Sequence, residues 1–399
     1  VEEQVKFWCL QTVIHMVTKQ GRYAQLPAEQ KCSLQRALVA WLQARGGAET
    51  DEPASVKNKF AQLFVAVLKA DFPLAWPEAF SQLLCTLGNG LVAIDMFLRV
   101  LNELHEQVVV HEESNGYDSE TATRVKDGMR DRCLAQVADA WYSILQLHST
   151  APALSAACLH TVHLHVAWIP IELVANPRWF GTLRPFLHHG ALHDGASLVL
   201  KEIVEKRMDA ANKMEHLTEL RIVPMLTEAA GSGVQTSPRF GALVAALCLE
   251  LLDCWDRLAG AAPPSARAAM LVPRAVEMLQ QTLPLLLQTL ACDDMETSHT
   301  TLAFLHSYVG RLRKLLPSQR DLAAHEGQLQ ALLLVLGQRC IYPDEFDFES
   351  PDEAEEAFLA YRRELSTLFK GVARVHASLA MEMCRSTLLR TLERLGQVP

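Results

Sequence analysis

The sequence is poor in turn residues. Glycine and proline number 19 and 18 in 399 residues, about 9% together against roughly 12% in average usage. A β-sandwich or barrel needs such residues in its many connections, so their scarcity argues against an all-β fold. No convincing period-2 alternation of apolar and polar residues is found either. Long apolar runs are missing: Leu243–Leu249 and Leu283–Leu287 are among the longest, well short of the ~18 residues that cross a bilayer. No signal-peptide pattern is visible. The ten cysteines, at 9, 32, 85, 133, 158, 248, 254, 292, 340 and 384, lie singly with no CxxC pair. Several sit in apolar runs around Cys158 and Cys248, as buried thiols would. The expectation is a soluble intracellular protein of a reducing compartment, with no contact to membrane.

Recognisable catalytic chemistry is lacking too. Gly231-Ser232-Gly233 has neither a preceding strand nor the third glycine of a dinucleotide loop, and no phosphate-binding loop occurs. There is no GxSxG elbow. His160, His163 and His165 are spaced so that the first two share a helix face and the third does not. With no cysteine or carboxylate at ligand spacing, they read as packed histidines, like His188, His189 and His193. No catalytic residue, metal, cofactor or small-molecule substrate is expected; the protein is not read as an enzyme.

What is present is helix. Hydrophobic residues make up 50% of the chain and are dominated by leucine and alanine, both strong helix formers. Phe7, Leu10, Ile14 and Val17 make one apolar stripe at 3- and 4-residue steps. Leu34, Leu38, Trp41 and Leu42 make a second, and Phe60, Phe64, Val67 and Leu68 a third. Further helical runs are expected over 78–86, 90–110, 119–148, 153–167, 190–206, 209–229, 236–259, 266–291, 296–316, 319–339, 352–371 and 373–395. The breaks carry stop or start chemistry: Gly46-Gly47, Pro73, Gly88-Asn89-Gly90, Pro152, Pro177, Pro263-Pro264, Asp293-Asp294, Pro317-Ser318 and Ser350-Pro351. About twenty helices give one pair every ~40 residues, the period of HEAT repeats. Single pairs cannot bury both apolar faces, so the expected fold is an all-α HEAT-repeat superhelical solenoid with a long concave wall. The helical reading begins almost at Val1, without an initiator methionine, which reads as a piece of a longer chain. Glu112–Thr123 reads as an exposed loop. Tyr342–Glu356 carries eight carboxylates and no base; it is either a solvated loop or an acidic contact for a basic partner.

Two adjacent stretches carry a family pattern. Lys57-Asn58-Lys59-Phe60-Ala61-Gln62 opens a helix that leads into Asp71-Phe72-Pro73-Leu74-Ala75-Trp76-Pro77-Glu78-Ala79-Phe80. The helix Ile94–Val109 follows. This resembles exportins of the importin-β superfamily. Further stretches, Lys126–Cys133, Ala140–Leu145, Val166–Ile169, Tyr342–Glu349 and Phe358–Leu365, make the chain similar to the transfer-RNA exportins from about residue 55 to 370.

The resemblance implies a nuclear export receptor without catalytic activity. It would bind transfer RNA cooperatively with Ran-GTP, pass nuclear pore proteins and shuttle between nucleus and cytoplasm. It also implies Ran-facing repeats over 1–110 and cargo-facing repeats of the same arch over 111–399. Alternatives are another importin-β superfamily receptor with protein or precursor-RNA cargo, or a HEAT scaffold outside transport.

A formal charge of −9 contradicts a nonspecific nucleic-acid coat but allows basic residues gathered on one wall. Candidate RNA contacts are Lys126 and Arg130, with Arg124 and Arg132; Lys201 and Arg207, with Lys206; Arg311 and Lys314, with Arg313; and Arg362 with Arg363. Backbone recognition of structured RNA needs no aromatic platform. Candidate Ran contacts are Lys57, Asn58, Lys59, Asp95, Glu103 and Glu106. Asp95, Arg99, Asn102, His105 and Glu106 share a polar helix face opposite Met96, Leu98, Leu101 and Leu104.

Overall fold

A computed structural model describes residues 2–19, 22–45, 52–110, 119–231, 236–260, 265–315, 322–343, 346–350 and 352–395. Among them the regular elements are helices, without a strand. Two compact units divide the chain, Val1–Leu183 and Arg184–Pro399. The breaks expected at Gly46-Gly47, Pro263-Pro264 and Pro317-Ser318 lie outside the described residues, as do 111–118, Ser232, Gly233, Asp344, Glu345 and Pro351.

The first unit contains α1 (Glu2–Thr18), α2 (Ala28–Arg45), α3 (Ala54–Asp71), α4 (Ala79–Cys85), α5 (Leu91–Leu104), α6 (Ser119–Arg132), α7 (Leu134–Leu145) and α8 (Pro152–Val166), and α9 (Pro177–Phe186) begins in it. α3 packs between α1 and α5, α5 reaches α8, and α8 covers α7. The aromatic stripe of α3 is the centre of this packing. Phe60 stacks on Trp41 with ring centroids 4.0 Å apart, and Phe64 meets Trp76 at 5.1 Å. Below them, the buried carboxylate of Asp71 accepts hydrogen bonds from the Tyr23 hydroxyl at 2.6 Å and from Gln35 Nε2 at 2.7 Å. A carboxylate this deep is tolerable only because both donors stay with it.

Gly128 lies where α6 meets the end of α3. A Cβ there would sit 2.8 Å from Phe72 Cε1 and 3.1 Å from Pro73 Cγ, so the helix approaches closely only without a side chain. Gly128→Ala should lower stability by about 1–3 kcal/mol, because the buried Phe72 ring and the half-buried Pro73 ring must shift. Urea unfolding followed by circular dichroism reads this directly; an unchanged midpoint would mean that the contact yields freely.

The second unit contains α10 (His193–Glu205), α11 (Ala210–Glu219), α12 (Ile222–Gly231), α13 (Pro238–Ala259), α14 (Ala266–Leu290), α15 (Met295–His299), α16 (Leu302–Lys314), α17 (Glu326–Arg339), α18 (Glu353–Val375) and α19 (Ala377–Leu395). α13 is packed by α10 and α14, and α18 by α16, α17 and α19. Side-chain caps start several helices. Ser237 accepts from the Phe240 amide, Ser265 from the Ala268 amide and Asp294 from the Thr297 amide; Asp352 and Glu355 form a reciprocal capping box. Each such cap satisfies amides that the first helical turn leaves without partners.

The structure departs from the expected helix runs at several points. The run 119–148 divides at Cys133, and 209–229 divides at Leu220–Arg221, where Arg221 has φ 51°. Pro224 explains the second break, since it has no N–H for the carbonyl of Leu220 and so cannot lie deep in a continuing helix. The run 296–316 divides around Thr300–Thr301. The last long pair breaks at His376, four residues later than the sequence suggests. Pro177, expected as a break, instead opens α9, where a first-turn proline is harmless. The run 90–110 is helical throughout but changes to a π turn at His105–Val110.

The cysteines divide as well. Cys133, Cys158, Cys248 and Cys254 are buried, and burial pushes their thiols up, that of Cys133 to about 12 and that of Cys254 to about 11. Cys9, Cys32, Cys85 and Cys384 are exposed instead; all ten are free.

Candidate nucleic-acid interface

The residues singled out for a protein partner come together, but largely with one another. Lys57, near the start of α3, is buried and places Nζ 2.8 Å from Asp95 Oδ2 on α5. Arg99, one turn beyond Asp95, donates from Nε to both carboxylate oxygens at 3.0 Å and from its terminal nitrogen to Asn58 Oδ1 at 2.5 Å. Burial pushes the Asp95 carboxyl up, but the hydrogen bonds from Arg99 and Lys57 outweigh it and hold the group below the usual carboxylate range.

Lys57, Asn58, Asp95 and Arg99 therefore brace α3 against α5. Arg99 belongs to this brace although the sequence singled it out only as part of a polar face; its i,i+4 spacing from Asp95 was the available signal. Asn102 accepts from Thr161 Oγ1 at 2.8 Å, so that face also ties α5 to α8. Lys59 donates to Gln62 at 2.8 Å and lies 5.3 Å from the centroid of the Phe7 ring. Glu103 accepts from Gln107 at 2.7 Å, and Glu106 is exposed in the π turn.

The basic candidates separate by what already holds them. Arg124 donates to the carbonyls of Lys69 at 2.6 Å and Phe72 at 3.1 Å, satisfying the C-terminal end of α3. Arg130 pairs with Asp127 at 2.7 Å and donates to the Trp168 carbonyl at 3.2 Å. Lys126 is half-buried. Lys201 pairs with Glu205 at 2.7 Å. Arg311 lies 2.6 Å from Asp256 Oδ1 and 4.6 Å from the Trp255 ring centroid. Arg132, Arg207, Arg313, Lys314 and Arg363 are exposed. Several clusters read as basic from the sequence are thus neutralised locally.

The exception is a cleft of about 410 Å³ along one flank of α18, lined by Tyr342, Leu359, Arg362, Arg363, Ser366, Thr367 and Lys370. Positions 359, 362, 363, 366, 367 and 370 recur at helical spacing, so a single helix supplies all but Tyr342. Arg362 is fixed: Nε donates to the Cys340 carbonyl at 2.8 Å, and its guanidinium carbon lies 4.4 Å from the centroid of the Tyr342 ring. Arg363 and Lys370 are exposed. Two exposed cations beside a fixed guanidinium and two hydroxyls suit phosphate oxygens. The sequence marked Arg362 and Arg363 but missed Lys370, Ser366, Thr367 and Tyr342; the seven-residue step from Arg363 to Lys370 could have found the lysine.

The described part of the acidic stretch beside this cleft, 342–343, 346–350 and 352–356, carries local order. Tyr342, Phe346, Phe348 and Phe358 form an aromatic cluster, with centroid separations of 4.9 Å from Tyr342 to Phe346 and to Phe348, and 4.8 Å between those two phenylalanines. Asp347 accepts from the amides of Glu349 and Ser350, and Glu355 from those of Asp347 and Asp352. Asp347 and Glu355 are thus held by backbone amides, while 347–350 stay exposed.

Among the described residues no group of three or more His, Cys, Asp or Glu is placed to hold a metal ion. His165 lies fully buried among His105, Trp141 and Trp168, and burial pushes its imidazole down to about 4. No described helix is long and apolar enough to cross a membrane.

Known proteins share both the sequence and the fold. The family described as Exportin 1-like protein matches residues 53–200, and the family described as Exportin-T matches residues 271–398. The chain is 28% identical to exportin-T of Mus musculus over 405 residues, covering 98% of this chain and 40% of that one. It is 28% identical to exportin-T of Danio rerio over 401 residues and 27% identical to that of Arabidopsis thaliana over 416, with the same shares covered. It therefore spans about 40% of the length of these relatives. A solved structure of importin-13 in its cytosolic state superposes with a TM-score of 0.65 at 16% identity, covering 92% of this chain and 45% of that one. The stacked helices and this likeness define an all-α HEAT-repeat fold. Within that fold, the family matches and the relatives point one way: the chain is similar to exportin-T along nearly its whole length.

Proposed function

We propose that this chain is part of a nuclear export receptor that binds transfer RNA cooperatively with Ran-GTP, engages nuclear pore proteins, and shuttles between nucleus and cytoplasm. No catalytic step of its own belongs to this reading. The likeness to the exportin-T relatives over nearly the whole chain supports the receptor class. The observation that carries an RNA cargo is the α18 cleft, where Arg363 and Lys370 stand exposed beside the fixed Arg362 guanidinium. Such a site takes phosphates without reading bases, as structured RNA requires. Of the further RNA candidates, Arg130, Arg207 and Lys314 are exposed, Arg130 already pairing with Asp127; Lys126, Lys201 and Arg311 are half-buried, the last two engaged by Glu205 and Asp256, and would contribute little.

For Ran, Lys59, Glu103 and Glu106 offer polar atoms at the edge of the α3–α5 brace, and Lys57, Asn58 and Asp95 would act by holding that edge. Linked binding follows if Ran-GTP and RNA favour the same conformation, each then raising the affinity for the other by one common factor.

The test is binding of the full chain to Ran loaded with GTP or GDP, with and without transfer RNA at one fixed salt concentration. GTP-selective binding strengthened by RNA is the expected result. Equal binding to both nucleotide forms, or none, from a folded chain would overturn the reading in favour of a HEAT scaffold.

A further inference from the structure

A second cavity lies on the other flank of α18 and has the opposite character. It measures about 460 Å³ and opens between α15 and α18, within the range of sites that accept compact ligands. Met295, Ala357 and Ala360 give it apolar walls, and Tyr361 forms its floor. Tyr361 is 2% exposed and its hydroxyl is engaged with Ser298, so the floor presents ring surface, not a polar group seeking a partner. The two alanines are exposed helix positions; the space exists because nothing larger projects there.

The rim is acidic. Glu296 and Glu364 are exposed at the mouth. Glu353 and Glu356 precede Ala357 and Ala360 by one turn on the same helix face, extending the acidic surface away from the pocket. His299 Nε2, 3.5 Å from Glu364 Oε1, is the only basic group among the lining residues.

An apolar socket collared by carboxylates selects its ligand by two criteria at once. The socket gains from burying one bulky apolar side chain. The collar attracts cations and repels phosphate. We propose that this pocket docks a cationic peptide segment of a partner protein, with one leucine-sized apolar side chain seated between Met295, Ala357 and Ala360 and flanking lysines or arginines facing Glu296 and Glu364. The inference stands apart from the RNA reading, which concerns the opposite flank of the same helix.

The test is fluorescence anisotropy of the full 399-residue chain with a labelled peptide carrying one central leucine flanked by two lysines on each side. Saturable binding is expected. Ala360→Trp, which fills the socket from an exposed position, should weaken it by on the order of tenfold or more, as should serine in place of the peptide's leucine. Glu296→Gln with Glu364→Gln should weaken it and reduce its salt dependence, while leaving the socket intact.

Equal binding of the serine peptide would reduce the effect to nonspecific charge attraction and overturn the proposal. So would undiminished binding by Ala360→Trp. Equal binding of an uncharged phenylalanine–glycine peptide would overturn the cationic assignment, and displacement of the labelled peptide by an RNA oligonucleotide would do the same. The circular dichroism melt of each variant keeps loss of folding distinct from loss of binding.

Discussion

Replacing Asp95 by alanine is expected to lower stability by about 3 kcal/mol, the scale seen when one partner of a buried ion pair is removed. The loss arises because Lys57 stays buried with its ammonium 2.8 Å from where the carboxylate was, while Arg99 loses both acceptor oxygens. Replacing the pair together, Lys57→Met with Asp95→Leu, should recover much of the loss, since the desolvated charges then disappear along with their attraction.

The brace also has a pH signature. The Asp95 carboxyl is held below its ordinary range in the fold. Its stabilisation is therefore fully present above the unfolded carboxylate pKa of ~3.9 and is lost as pH falls through the lower folded value. Urea midpoints measured between neutral and strongly acidic pH should show a steeper acid-side decline in the wild type than in Asp95→Ala. Parallel declines would show that the carboxylate contributes nothing through its charge.

The second large effect concerns the cleft on α18. Arg363→Glu combined with Lys370→Glu should weaken transfer-RNA binding, measured with Ran-GTP present, by on the order of a hundredfold. It should also lower the slope of log affinity against log salt by about 2. Arg311→Gln is the informative comparison. Arg311 is already engaged by Asp256 and Trp255, so its removal should change RNA affinity by only about twofold or less. Equal losses from both changes would mean that local neutralisation does not decide which cations an RNA can use.

Helices were legible in the sequence because their signal is local. The stripe Phe60, Phe64, Val67 and Leu68 is a period on one segment, and it became the buried face of α3. The break at Arg221 was less visible, because Pro224 acts on a carbonyl four residues upstream and the apolar pattern runs on past it. The candidate sites were legible only in part for a different reason. Charge can be counted in a sequence, but its availability depends on what lies across a helix interface. Arg124 and Arg130 looked alike on α6, yet one serves the end of α3 and the other a carbonyl near Trp168. The socket beside α18 was hidden more completely. It is made by what Ala357 and Ala360 lack, and a small side chain announces nothing about the space it leaves.

α18 carries the acidic socket on one flank and the basic cleft on the other, and both are cut into a single 23-residue helix. Their histories are therefore tied. Inserting or deleting one residue in its first two turns would rotate the preceding acidic positions by about 100° against the basic ones that follow. Neither surface can be re-registered by such a change without disturbing its counterpart. A lineage can retune either flank one side chain at a time, but it must keep the length of this helix.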